Sequence, residues 1–162
     1  MVTHFKLPKD DIEYMLKIAV EHYSASRWPE AERMLRGILA IEPDEWRAWQ
    51  LLGSILLLQG FRIAADAVYR RCLEINPDDM YSLAAVSEIA LDAMRYSDAE
   101  KYMKRLFELD PEGKHSAANR MRYVLAQMIK QNEEAFNTKA EQQQSPKVEK
   151  SAETTQKQDS NK

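Results

Sequence analysis

The chain has 162 residues, 44% of them hydrophobic, and a formal net charge of −3, which is about the size of one domain and enough to bury a core. Acidic and basic residues are interspersed, which argues against a uniform basic surface for nucleic acid and a polybasic run for an anionic membrane. The single cysteine, Cys72, excludes an internal disulfide, and the N-terminal MVTHFKLPKDD lacks the apolar core of a signal peptide, so a reducing, cytoplasmic setting is expected.

In chain order, residues 1–10 read as an N-terminal segment. Pro8, Asp10 and Asp11 mark a helix start, since proline is tolerated in the first turn and carboxylates suit the positive end of the helix dipole. Ile12, Met15, Ile18, Ala19 and His22 then fall at the three- and four-residue spacing of one helical face, which predicts a helix over 11–25. Ser26 and Arg27 interrupt the pattern. It resumes from Trp28 to Ile41 through Ala31, Met34, Leu35, Ile38 and Leu39, and Pro43 closes the helical hairpin.

A second hairpin is predicted over 46–59 and 61–75, with Asp44 as the cap and Gly60 at the turn. A third follows over 80–93 and 96–109, with Asp78 and Asp79 in the capping region. A seventh helix is expected over 115–136, where Ala117, Met121, Val124, Leu125 and Met128 share one face. From 137 to 162 the composition shifts to Gln, Lys, Glu, Ser and Thr without an aromatic residue. Such a stretch cannot offset its ordering entropy and is expected to be a disordered tail. No run alternates with period two, so no strand is expected. The longest uninterrupted apolar run, Ile55 to Leu58, is far short of the roughly 20 residues a membrane helix needs.

Pro43, Pro77 and Pro111 recur at a constant interval of 34 residues, and Ala31, Ala65 and Ala99 keep the same interval. Such a period implies stacked units, none of which can bury its apolar face alone. Within the middle unit Trp49, Leu52, Gly53, Gly60, Ala65, Tyr69 and Pro77 stand in the signature columns of the tetratricopeptide repeat, which the chain resembles over roughly residues 11–112. The units fall at about 12–45, 46–79 and 80–113, followed by the end helix at about 115–136, for a repeat domain of 11–136. Ala19, Gly53 and Ser87 are small, as are Ala31, Ala65 and Ala99, which lets the helices of each hairpin approach. Met15, Trp49 and Leu83, then Ile18, Leu52 and Val86, fill the seam. The outer units depart from the pattern: His22 and Ala90 replace the usual tyrosine, and Ile38, Cys72 and Leu106 stand where alanine is commoner. The resemblance implies an all-α, right-handed TPR solenoid of three helical hairpins plus a C-terminal capping helix.

That scaffold is chiefly a protein-binding one, so function has to be sought on its surface. In the family the first helix of each pair lines the concave groove. Carried over, this implies partner-binding residues Glu13, Leu16, Val20 and Tyr23 from the first unit, and Arg47, Gln50, Ser54, Leu57 and Leu58 from the second. The third would supply Tyr81, Ala84, Glu88, Leu91 and Asp92, and the end helix Arg122 and Leu125. Ile55 to Leu58 sweep about 300° of helix, so they cannot all face their own hairpin partner. The columns that clamp a terminal carboxylate in the family with Lys, Asn and Arg here hold Leu16, Val20, Leu51, Tyr81 and Ala85, which argues against a co-chaperone of that kind. An apolar groove with a few polar groups suits a protein or peptide segment with hydrophobic anchors, each contributing about 1.5 to 3 kcal/mol before ordering costs.

Small acidic proteins made of three such repeats and a terminal helix are similar to bacterial type III secretion chaperones. The resemblance implies a cytoplasmic chaperone for a secreted subunit. The alternative is a scaffold or assembly factor for a multiprotein complex. A homodimer through the first hairpin is a further expectation, because only the segment with Phe5 and Leu7 covers that end of the stack.

No chemistry is expected. There is no glycine-rich phosphate loop and no defensible Ser/His/Asp grouping. His4, His22 and His115 share no metal-ligand spacing, so neither metal nor cofactor is expected. Cys72 reads as a small buried hydrophobe, and Trp28, Trp46 and Trp49 as packing residues. Arg70 with Arg71, and Arg120 with Arg122, are too short as clusters to call for nucleic acid.

Overall fold

The computed structural model describes residues 7–144. Among them run seven helices and no strand: α1 (Lys9–Ser24), α2 (Trp28–Ile41), α3 (Trp46–Leu58), α4 (Arg62–Ile75), α5 (Met80–Asp92), α6 (Tyr96–Leu109) and α7 (Ser116–Gln144). α1 packs on α2, α3 on α4 and α5 on α6, making three hairpins; α2 against α3 and α4 against α5 join them, and α1 also touches α3. By its internal contacts the chain divides after Tyr123 into one compact unit, which holds the three hairpins, and a second that begins at Val124.

The 34-residue period of the sequence is written into the backbone. Each hairpin turns at a residue in the left-handed region: Ser26 (φ 57°), Gly60 (φ 84°) and Met94 (φ 57°). Around each, two bonds repeat. Arg27, Phe61 and Arg95 donate their N–H to the carbonyls of His22, Leu56 and Ala90, and Ser26, Gly60 and Met94 donate theirs to Tyr23, Leu57 and Leu91. This is the Schellman closure, which satisfies the last carbonyls of a helix and leads the chain back. The second helix of each hairpin is followed by a C-cap residue directly before proline, Glu42, Asn76 and Asp110. These three have φ of −126°, −126° and −137°, because proline's ring disfavours the helical conformation in the residue before it.

Helix starts also repeat, with one correction to the sequence reading. Glu45, not Asp44, caps α3, accepting the Arg47 N–H at 3.2 Å, and Asp79 caps α5, accepting the Ser82 N–H at 2.8 Å. Asp44 and Asp78 stand one residue too early to reach these donors. They instead pair with Arg71 (3.0 Å) and Arg105 (2.9 Å) one repeat apart.

Between the helices of each hairpin the seam is dry. Ala19, Ala31, Leu35 and Ile38 are fully buried in the first, Ile55, Ala65 and Cys72 in the second, and Val86, Ala99 and Leu106 in the third. Burial pushes the Cys72 thiol up to about 11, which keeps it protonated and unreactive at neutral pH. Gly53 shows how close the approach is: a Cβ there would lie 2.8 Å from Cε1 of the Tyr69 ring.

The end helix starts at Ser116, two residues later than the register of α5 predicts. Asp110 holds this corner, its carboxylate accepting the N–H groups of Lys114 (3.0 Å) and His115 (2.8 Å). The helix runs to Gln144 rather than stopping at Phe136, because residues 137–144 are rich in Ala, Lys, Glu and Gln and lack proline and glycine. The remainder of the expected tail, 145–162, and Phe5 at the other end lie outside the described residues.

Candidate partner-binding site

The residues assigned to a groove by resemblance separate by exposure. On α1, α3 and α5, Leu16, Ala84 and Leu91 are buried and have little surface to give to a partner. Val20 and Leu58 are about half exposed, at 49% and 53%, while Tyr23, Gln50, Ser54 and Leu57 are partly exposed. These last six form the open apolar and polar set on α1 and α3. On α5 the open set is Tyr81, Glu88 and Asp92.

The open polar residues are already organised. Glu13 on α1 and Arg47 on α3, 34 residues apart, form an ion pair at 2.7 Å, and Arg47 also donates to Glu45 at 2.8 Å. That hydrogen bond holds the Glu45 carboxyl below its ordinary range. The equivalent residue on α5, Tyr81, meets His115 edge-on at 4.9 Å between ring centroids. So one column of the repeat carries two cross-repeat pairs, one ionic and one aromatic. In the middle, the Ser54 hydroxyl shares a 3.0 Å hydrogen bond with the Tyr69 hydroxyl and lies 3.1 Å from the Gln50 carbonyl. Burial pushes the Tyr69 phenol up to about 12, so it stays neutral and available as a donor.

Glu88 is the most enclosed charge of the set. Arg120 Nε lies 2.8 Å from its Oε1, a contact of charges without hydrogen-bond alignment. Burial dominates and raises the Glu88 carboxyl above its ordinary value, with Arg120 opposing. Asp92 pairs with Arg62 of α4.

Arg122, assigned to the groove by resemblance, is spent on the corner before α7. Its Nη2 donates to the carbonyls of Asp110 (2.6 Å) and Pro111 (3.2 Å), and its guanidinium lies 4.9 Å from the Phe107 ring. Leu125 belongs to the second unit.

Sequence reasoning passed over the charged lattice between α4 and α6. Arg70 donates to Asp66 (3.1 Å), Asp98 (2.9 Å) and the Tyr102 hydroxyl (3.0 Å), and Arg95 reaches the same two carboxylates. Its Asp66–Arg70 pair repeats Glu32–Arg36 of the first hairpin, which stands 34 residues earlier and pairs at 2.9 Å, whereas Asp98 and Tyr102 join it from outside that interval. The pairs Asp44–Arg71 and Asp78–Arg105 do follow it and were there to be read.

Comparison with known proteins agrees with this architecture. Residues 47–79 match the family model of the tetratricopeptide repeat. Superkiller complex protein 3 of Mus musculus is 30% identical over 84 residues, which is 52% of this chain but 5% of that protein. The chain thus spans about a twentieth of the curated relative it matches. Among solved structures, the Yersinia enterocolitica type III secretion chaperone SycD in complex with a peptide of the translocator YopD superposes with a TM-score of 0.66 at 17% identity, covering 77% of this chain and 97% of that one. The Sgt2 TPR domain of Aspergillus fumigatus gives 0.66 at 12% identity, covering 82% and 86%. The fold is the tetratricopeptide-repeat helical solenoid. No helix among the described residues is long and apolar enough to cross a membrane.

Proposed function

We propose that this chain is a protein-binding module that holds a partner segment by hydrophobic anchors against α1 and α3, acting as a chaperone for a secreted subunit of a type III secretion type system. The carrying observation is the run Val20, Tyr23, Leu57 and Leu58. These apolar side chains lie on the first helices of their hairpins, remain open to solvent, and are surplus to the seams. Gln50 and Ser54 beside them supply the few polar contacts that orient an apolar segment. The likeness in size and architecture to a chaperone solved with a translocator peptide supports the choice of partner class.

A second reading, a scaffold or assembly factor for a multiprotein complex, is favoured by the 30% identity to a protein named as a complex subunit. The equal fit of the Sgt2 domain means that fold alone does not separate the two.

Leu57→Arg combined with Val20→Arg is expected to lower the yield of captured partner at least tenfold in a pull-down from native lysate, with helical circular dichroism unchanged. Normal capture by this variant would remove the groove assignment. Leu91 is unsuitable for the same test because it is buried, so a charge there would probe folding. A captured amphipathic exported subunit, insoluble alone, supports the chaperone reading; several folded components support the scaffold.

A further inference from the structure

The two turns that join α3 to α4 and α5 to α6 carry more apolar surface than a helical hairpin requires. Leu58, Phe61 and Ile63 flank the first, at 53%, 59% and 90% exposure, and Met94 and Tyr96 the second, at 75% and 59%. The turn itself does not call for them. At the equivalent places the first hairpin has Ser24, Arg27 and Pro29, and the third has Asp92, Arg95 and Ser97, around the same Schellman closure.

The two turns that carry these five side chains stand side by side. Arg62 of α4 pairs with Asp92 of α5, and Arg95 donates to Asp66 at 3.1 Å, so two ion pairs tie the turns side by side. Between them lies a depression of about 390 Å³ whose apolar walls are Ile63, Ile89 and Ala93. Large apolar side chains exposed together on neighbouring turns mark a surface that a partner covers.

We propose that a second copy of this chain covers it, in a two-fold homodimer. Two observations select that occupant. Taking about 200 Å² for a large side-chain residue, the five exposures amount to roughly 700 Å², close to the roughly 800 Å² that each partner contributes to a stable interface. The rim is charge-balanced, with Arg62 and Arg95 against Asp66 and Asp92. It offers no net charge by which to select an acidic or a basic partner, and a rim with equal numbers of both signs suits an isologous interface, in which each patch meets a copy of itself. The contact uses the turn edge; of the residues that carry the function proposed above it includes Leu58 but not Val20, Tyr23 or Leu57, and the substitutions at Ile63 and Met94 that test it touch none of the four. It also differs from the dimer through the first hairpin that the sequence suggests.

Sedimentation velocity on the full chain, across roughly 1 to 100 μM, tests it. The unaltered chain is expected to move from monomer to dimer mass over that range. Ile63→Glu with Met94→Glu should shift the transition at least tenfold upward in concentration, with unchanged circular dichroism. Ile63→Ser, which copies Ser97 one repeat on, should shift it less in the same direction. Tyr14→Glu, at an exposed apolar residue of α1 outside the patch, should leave it in place. A chain that stays monomeric throughout overturns the proposal, and so does a dimer that Ile63→Glu with Met94→Glu leaves at its original affinity.

Discussion

The middle hairpin and the outer two reach one geometry with different residues. In the middle, Gly60 occupies the left-handed turn and Gly53 lies under the Tyr69 ring. At the same places the first hairpin has Ser26 and the pair Ala19 with Leu35, and the third has Met94 and the pair Ser87 with Met103. The backbone bonds of the turn are the same in all three. The turn is therefore imposed by the Schellman closure and the packing of the helices on either side, and glycine eases it without being needed. The seam works by exchange: a larger residue on one helix is accommodated by a smaller one on its partner.

The largest effect should come from breaking that exchange. Gly53→Ala puts a methyl group 2.8 Å from a ring that is 3% exposed and hydrogen-bonded to Ser54. It is expected to cost about 1 to 3 kcal/mol in chemical denaturation. Adding Tyr69→Leu recreates the Ala19 and Leu35 pair of the first hairpin. The double variant should then be more stable than the two single losses sum to, by roughly 0.5 kcal/mol or more. Strict additivity would show that the seam does not work by exchange.

The turns should give a smaller, purely backbone effect. A Cβ at Gly60 meets nothing within 4 Å, so Gly60→Ala isolates the left-handed penalty, about 1 kcal/mol. Ser26→Gly is the reverse change in the first hairpin and is expected to raise stability by about 0.5 kcal/mol in thermal melts. Loss of stability there would mean that the Ser26 side chain supports its turn.

The smallest effect distinguishes the caps. Glu45 and Asp79 cap α3 and α5 alike, but Glu45 is also bound by the Arg47 side chain, which depresses its carboxyl. A carboxyl lowered in the folded state contributes stability that is present above its unfolded pKa and lost as pH falls through the folded one. The advantage of the unaltered chain over Glu45→Gln, about 1 kcal/mol or less at neutral pH, should shrink over roughly pH 5 to 3. An advantage that stays constant over that range would separate the cap from the charge.

The extent of each helix was largely legible, because apolar spacing and the Pro43, Pro77 and Pro111 interval act over one or two turns of chain. α2 and α6 match their expected spans, and α1, α3, α4 and α5 differ by at most two residues at an end. What escaped depends on chemistry finer than periodicity. Whether Asp44 or Glu45 caps α3 turns on reach to a particular N–H, and the length of α7 on the helix propensity of residues 137–144. The candidate site was half legible. Its helices follow from the repeat, but Leu16, Ala84 and Leu91 share columns with open residues and are themselves buried. Burial at a column is set by how neighbouring hairpins pack, which no single hairpin's pattern contains. Phe61, Ile63, Met94 and Tyr96 break no rule of the repeat, and only their exposure makes them notable.

One bond in the middle hairpin has an optical consequence. The Trp49 indole N–H donates to the Pro43 carbonyl at 2.7 Å, spanning the corner between α2 and α3. Trp28 and Trp46, the chain's other indoles, lie on those two helices, while the third repeat has tyrosines and Phe107 but no indole. Fluorescence excited selectively in the indoles therefore reads the first two hairpins, Trp46 and Trp49 at the corner between them and Trp28 at the start of α2, and is nearly blind to α5 and α6. The molecule comes with a built-in label for the end of the stack where Val20, Tyr23 and Leu57 lie.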